Sequence, residues 1–506
     1  MYSLGIDIGT SGTKTVLFDI HGNAVASDAQ TYPLYQPQNG WAEQEPSDWW
    51  NASASSIRNV LEISGINPSE ICGVGLSGQM HGLVMLDSDN KPLRKSIIWC
   101  DQRTAEECVE IEQRVGKKRL IEITANPALP GFTASKILWV RNHEPEIFKK
   151  CRHILLPKDY VRFMLTGVYA TEVSDASGMQ LLDIPNRCWS KEVLARLDID
   201  EDLLAKVYES PEITGKISEK AAQITGLKAG TPVVGGAGDN AAAAVGTGVV
   251  KSGKAFTTIG TSGVVFLHTD EVKIDLKGRV HTFCCAVPGK WHMMGVTQAA
   301  GLSLKWFKDN FCQDISAKAE SDGVSVYSII NSMAASSPIG ANRLLFLPYL
   351  MGERTPHLDS NARGTFFGIS AMHTKSDFLR AIMEGVSFSL NDCLSVFSEC
   401  GFTPTEMMAC GGGGTSELWR QMLSDIYGCP VTTVKSQEGP ALGVAILAMV
   451  GAGVYPSVEA ACEAVIKSDV VQYPDFEAHK KYERNYTLYR SLYPTLKETF
   501  SALAEL

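Results

Sequence analysis

Apolar residues recur along this chain at two spacings. Short, mostly apolar runs at residues 4–8, 15–18, 71–76, 232–234, 255–259, 264–267 and 407–410 read as strands. Stretches with apolar positions every three or four residues occupy 46–63, 104–114, 132–142, 302–309 and 377–398 and read as helices. A further strand pair is expected from 84–86 and 97–99, and helices from 241–245 and 415–427. Strands that alternate with helices predict an α/β architecture. The continuous apolar run 441–450 is half a membrane span in length, with Gly and Pro around it, so it reads as a buried core helix.

The pattern also repeats. Gly-Thr-Ser-Gly occurs at residues 9–12 and again at 260–263, each time between two β runs. Each copy predicts a hairpin with a glycine-rich turn. The matching context predicts two related halves, 1–248 and 249–506, that meet near residues 246–253.

Composition narrows the class. With 506 residues, 44% hydrophobic and 20% charged, the chain has enough apolar material for two or three domain cores and is not globally disordered. Its 46 basic and 56 acidic residues give a net charge of −10, and no basic cluster offers a face to nucleic acid or membrane. Lys117-Lys118-Arg119 and Lys149-Lys150 read as solvated helix ends. The 13 scattered cysteines contain no CxxC pair and point to reduced thiols. The N-terminus reaches Asp7 with no basic region and does not read as a signal peptide, so a cytoplasmic location is expected. His281, Cys284 and His292 could be grouped as metal ligands, but their strand context favours structural roles.

Candidate chemistry lies in the glycine-rich turns. Gly9, Thr10, Ser11, Gly12 and Thr13 sit between Asp7 and Lys14. Such a turn can aim N–H and O–H groups at phosphate oxygens, and glycine lets the anion come close. Lys14 adds positive charge. Asp7 would repel a triphosphate unless a cation lay between them, which suits Mg²⁺. The bland alternative is a plain hairpin with an exposed lysine. The second turn, with Gly260 and Thr261, carries no charge and could grip another part of the same nucleotide.

Gly412 and Gly413 follow a short strand and open a helix that Thr415 or Ser416 could cap. A flat group could lie against this backbone, although a strand-to-helix turn needs no ligand. The dinucleotide-binding spacing, with an acid about 20 residues on, is absent. Asp239, between Gly238 and an alanine-rich run, is either a helix N-cap or a base that takes a hydroxyl proton as the oxygen attacks phosphorus. Asn240 beside it could hydrogen-bond a polyol. His81, in the loop 77–82, could orient a sugar hydroxyl or be an ordinary loop histidine. Gly-x-Ser-x-Gly fails at 75–79, so no hydrolase elbow is present.

Taken together, residues 7–14 resemble the first phosphate hairpin of the FGGY carbohydrate kinases, members of the actin-like (ribonuclease H-like) ATPase superfamily. Residues 131–139, Gly-Phe-Thr-Ala-Ser-Lys-Ile-Leu-Trp, and the stretch from Gly364 through Asp377 to Glu384 are similar to that family's signatures. The resemblance spans residues 3–448. Within the family, Gly-Gln-Met-His-Gly at 78–82 resembles the loop of members that phosphorylate xylulose, as do 156–160 and 352–357. Glycerol kinases carry Arg-Glu where this chain has Met80 and His81.

The resemblance implies two actin-like α/β domains facing each other across a cleft, with sugar in the N-terminal half and ATP largely in the C-terminal half. It implies ATP- and Mg²⁺-dependent conversion of D-xylulose to D-xylulose 5-phosphate. Asp239 would accept the proton; Met80, His81, Asp239 and Asn240 would touch the sugar; Asp7 would support metal and phosphates. The two hairpins, with Gly412, Gly413 and Thr415, would hold ATP. Lys136, Trp139 and Glu384 read as structural, and Trp41, Glu43 and Gln44 as a packed loop. Sugar and ATP are the expected partners, without nucleic acid or membrane, and a homodimer is entertained. Kinases of L-ribulose, D-ribulose or a sugar acid share the framework and stay open. So does an actin-like ATPase that works by conformational cycling, although the loop 79–82 and residues 238–240 argue against it.

Overall fold

In both halves the glycine-rich turn closes a hairpin at the middle of a seven-stranded sheet. In the computed structural model, which describes residues 1–436 and 438–506, Tyr2–Ile8 pairs antiparallel with Gly12–Asp19 and parallel with Ile71–Gly78. In the second half Lys254–Ile259 pairs antiparallel with Gly263–Thr269 and parallel with Glu406–Cys410. Pro232–Val234 extends the first parallel block and Val431–Val434 the second. Beyond the hairpins, Ala24–Thr31 and Trp291–Thr297 add antiparallel strands. The repeated tetrapeptide therefore marks the same place in two sheets of one topology.

The alternation along Tyr2–Ile8 explains how its sheet is covered. Leu4, Ile6 and Ile8 join a core with Trp49, Ile57 and Val60 of the helix Pro46–Ser64. Between them, Gly5 meets the helix Gly439–Gly451, whose residues 441–449 are all buried. That helix is the apolar run 441–450. It belongs to the second half in sequence but lies on the first sheet, so close that a Cβ on Gly5 would sit 2.0 Å from the Ala441 carbonyl oxygen. A Cβ on Gly75 would sit 2.0 Å from that of Val444. On its other side the helix meets Asp239–Gly246, where Gly246 and Gly443 allow equally close backbone contact.

Some expected elements differ. The runs 84–86 and 97–99 are not partners along their length. Val84–Leu86 pairs with His153–Leu155, and Ser96–Ile97 with Glu43–Gln44; Leu83 and Ile97 share a single bridge. Isolated two-stranded pairs are marginal, so each segment is stabilised by a distant strand that packing supplies. The helix expected from 415 begins at Glu417, because Ser416 caps it by accepting from the Trp419 N–H at 3.3 Å. Thr415 instead donates to the Gly412 carbonyl at 2.7 Å, closing a helical turn at Gly411–Gly414. The helix at 377–398 extends to Lys375–Glu399, since Thr374 and Asp377 form a capping box.

All 13 cysteines are free. Among the described residues no group of three or more His, Cys, Asp or Glu is arranged to hold a metal, His281, Cys284 and His292 included. Among them, too, no helix is long and apolar enough to cross a membrane.

Gly75→Ala should lower the unfolding midpoint, at a cost of about 1–3 kcal/mol, because backbone must move to admit a methyl group. Gly439→Ala, where no atom lies within 4 Å of the added carbon, should leave the midpoint unchanged. Thermal unfolding of the two variants checks this.

Candidate active site

Three parallel strands of the first sheet end in one row. Asp7 is in register with Ser77, and Ser77 with Ala237 of the short strand Ala237–Gly238. Past the C-terminal ends of parallel strands the chain is free to meet a ligand. Asp239 follows this row as the first residue of the helix Asp239–Gly246. Gly238, not Asp239, is the N-cap. Its Oδ1 accepts from the Asn240 backbone N–H at 2.7 Å and the Asn240 Nδ2 at 2.9 Å.

Burial pushes the Asp239 pKa up to about 6; the Asn240 hydrogen bonds oppose the rise, and the negative charge of Asp7 adds to it. Burial raises Asp7 as well, against lowering by Ser77 and Lys14. The Asp7 Oδ1 is buried without a hydrogen-bond partner. An orphaned carboxylate oxygen next to a second carboxylate suits a hard divalent cation, so the residues present fit Mg²⁺.

The sugar-side residues lie beside this row. A Cβ on Gly238 would come 2.9 Å from the Met80 Cγ, so the glycine lets Met80 pack there. The His81 Nδ1 is 2.8 Å from the Gly178 carbonyl. A carbonyl only accepts, so Nδ1 carries the proton and Nε2 keeps a lone pair for a hydroxyl donor. Burial, helped by the Lys136 and Arg354 charges, pushes the His81 pKa down to about 3 and holds the ring neutral. Ser174, which the sequence does not single out, holds the residue before Asp239: its hydroxyl accepts from the Gly238 N–H at 3.1 Å and donates to Glu172 at 2.9 Å. Glu172 lies 3.4 Å from Lys158, whose ammonium also meets Asp159 and Asp175, all fully buried.

The first phosphate turn is tied to the same loop. The Gly9 N–H donates to the Gly12 carbonyl at 3.0 Å, and Gln79 reaches Thr10 directly and through Gln44. The Trp99 indole N–H donates to the Thr10 hydroxyl at 2.9 Å. Ser11 is exposed at the tip, whereas the Thr13 hydroxyl is buried without a hydrogen-bond partner. Lys14 is paired at 2.5 Å with Glu438, at the start of the helix that lies on the first sheet.

The second turn forms part of a cavity of about 400 Å³. Gly260, Thr261, Gly412, Gly413 and Thr415 all line it, and every wall comes from the second half. The Gly301 N–H donates to the Gly260 carbonyl at 2.7 Å and locks the turn onto the helix Gly301–Phe311. Leu302, Lys305, Tyr327, Asn331 and Trp419 complete the lining and were not foreseen. They lie on helices whose apolar spacing gives no hint of a ligand.

Two domains of one topology, acidic residues at the strand ends of the first and a glycine-edged cavity in the second describe a two-domain kinase of the actin-like type. The N-terminal domain model of the FGGY family of carbohydrate kinases matches residues 2–246, and the C-terminal domain model matches 255–452. The xylulose kinase of Bacillus subtilis (strain 168) is 41% identical over 502 residues, covering 99% of this chain and 98% of that protein. A crystal structure of a "xyloylose kinase" from Brucella ovis superimposes with a TM-score of 0.90 at 34% identity, covering 99% of this chain and 100% of the other. A gluconate kinase from Lactobacillus acidophilus superimposes with a TM-score of 0.92 at 29% identity, covering 99% of each chain. The chain belongs to the FGGY family of carbohydrate kinases.

Because Asp7 raises the Asp239 pKa, Asp7→Asn should lower it below about 6. Carboxyl ¹³C NMR titration of Asp239 in the two proteins reads the shift directly, without reference to turnover.

Proposed function

We propose that this enzyme transfers the γ-phosphoryl group of ATP to D-xylulose, giving D-xylulose 5-phosphate and ADP. The observation that carries the reading is Asp239: a carboxylate with a pKa near 6 beside Met80, His81 and Asn240. The similarity to xylulose kinases over nearly the whole chain supports the choice of sugar. In this reading residues 1–248 bind the sugar and the first turn meets the phosphates, while residues 249–506 hold most of the nucleotide. The free cysteines suit a reducing cytoplasm.

Asp239 takes the proton of the terminal sugar hydroxyl as its oxygen attacks the γ-phosphorus in line. The bond from phosphorus to the ADP oxygen breaks, and ADP leaves with that electron pair. Met80, His81 and Asn240 orient the sugar so that this hydroxyl faces the base. The N–H groups of the two turns donate to the charged oxygens of the group in transfer. Asp7 is the residue that would hold Mg²⁺, which supplies charge neutralisation on the phosphates when bound.

Coupled ADP release should be stimulated most by D-xylulose when compared with L-ribulose, D-ribulose, gluconate, glycerol and no sugar. Preference for another sugar would keep the mechanism and change the substrate; equal rates with and without every sugar would favour a conformational ATPase. Asp239→Ala should abolish phosphorylation while ATP still binds. In the unaltered enzyme kcat/KM should fall as pH drops through about 6, since protonated Asp239 cannot accept the hydroxyl proton.

A further inference from the structure

His81 has an unusual backbone. Its φ is 70°, in the left-handed region that a residue with a Cβ avoids. Something outside the loop must hold it there. Its carbonyl oxygen accepts two hydrogen bonds, from the Lys136 Nζ at 2.9 Å and from the Thr133 hydroxyl at 3.1 Å. Both donors stand on the first turn of the helix Thr133–His143. The residue before that helix, Phe132, meets the imidazole edge-on at 4.8 Å. The backbone and the ring of His81 are therefore gripped by one segment, and the Gly178 carbonyl fixes the ring's far edge.

Lys136 is an odd choice for a helix that only had to fill space. Its side chain is 0% exposed, and among the described residues no carboxylate forms an ion pair with it. Its ammonium donates instead to two carbonyls, that of His81 and that of Gly131 at 2.7 Å. A buried cation without an ion pair is costly, and burial pushes its pKa down to about 7 against the opposing charge of Asp101. A leucine or methionine would pack here without that cost but could not hold the His81 carbonyl. The lysine charge also opposes protonation of His81, which keeps Nε2 available as an acceptor.

We propose that Lys136 is a positioning residue for sugar binding: by clamping the His81 carbonyl it maintains the left-handed turn that presents the imidazole to the sugar. Thr133 seconds it on the same oxygen. The inference rests on the reading of His81 as a sugar contact, and the experiment separates the two.

Steady-state kinetics of Lys136→Met should show a KM for D-xylulose raised on the order of tenfold, as expected for losing a charge-assisted hydrogen bond. The KM for ATP and the sugar-free hydrolysis of ATP should stay at their wild-type values. Thr133→Val, which removes one donor without disturbing a buried charge, should raise the sugar KM by roughly threefold and decides the matter alone if Lys136→Met does not fold. In a His81→Gln background Lys136→Met should add little, because both act through one contact. If His81→Gln leaves the sugar KM unchanged, the site reading is wrong. If His81→Gln raises it but the folded Lys136 and Thr133 variants keep the wild-type sugar KM, or raise the KM for ATP equally, the positioning role is overturned.

Discussion

Two carboxylates are held at or past the ends of strands that flank Ile71–Gly78 on either side, and the rest of the site is arranged around that fact. Asp7 and Asp239 are more than two hundred residues apart, yet the register of three parallel strands brings them to one edge. Burial raises both pKa values, and the Asp7 charge adds to the rise at Asp239. In the proposed reading one acid serves as a base suited to neutral pH, and the other keeps an oxygen free for a cation. The network from Gly238 through Ser174 to Glu172 and Lys158 ties the residue before Asp239 to a buried cluster of charges.

Backbone contact is what links this edge to the second half. The helix Gly439–Gly451 lies against Gly5 and Gly75 with no side chain between, which fixes its position along the strands as well as its distance from them. Glu438 immediately precedes that helix and pairs with Lys14 of the first phosphate turn. A turn that belongs to the first half is thus touched by an element from the second. The charge expected to meet a phosphate is already balanced by a carboxylate that a nucleotide would have to displace.

The two sides of the site differ in polarity for a reason. A sugar is neutral, and His81, which the proposed function sets against it, is kept neutral by burial and by the Lys136 and Arg354 charges. A nucleotide needs a flat slot and N–H donors, and the second half supplies a cavity edged with glycine. Most of its walls, including Tyr327 and Trp419, come from helices whose sequence says only that one face is apolar.

What was legible in the sequence is what local chemistry dictates. Glycine-rich turns between β runs, the acid beside Asn240, the buried run 441–450 and the family signatures each announce themselves over a few residues. Less legible were facts that depend on a distant partner. Residues 84–86 pair with His153–Leu155 because packing brings that strand near. The choice of Ser416 over Thr415, and of Gly238 over Asp239, as helix caps turns on backbone angles that composition does not reveal. Lys136 was read as a structural mark; its bond to His81 spans 55 positions. The sequence by itself determined the two halves and their glycine turns, since these follow from residue type and short spacing. The tertiary structure alone decided who meets whom across the sheets, because burial, pKa and unpaired donors are properties of surroundings.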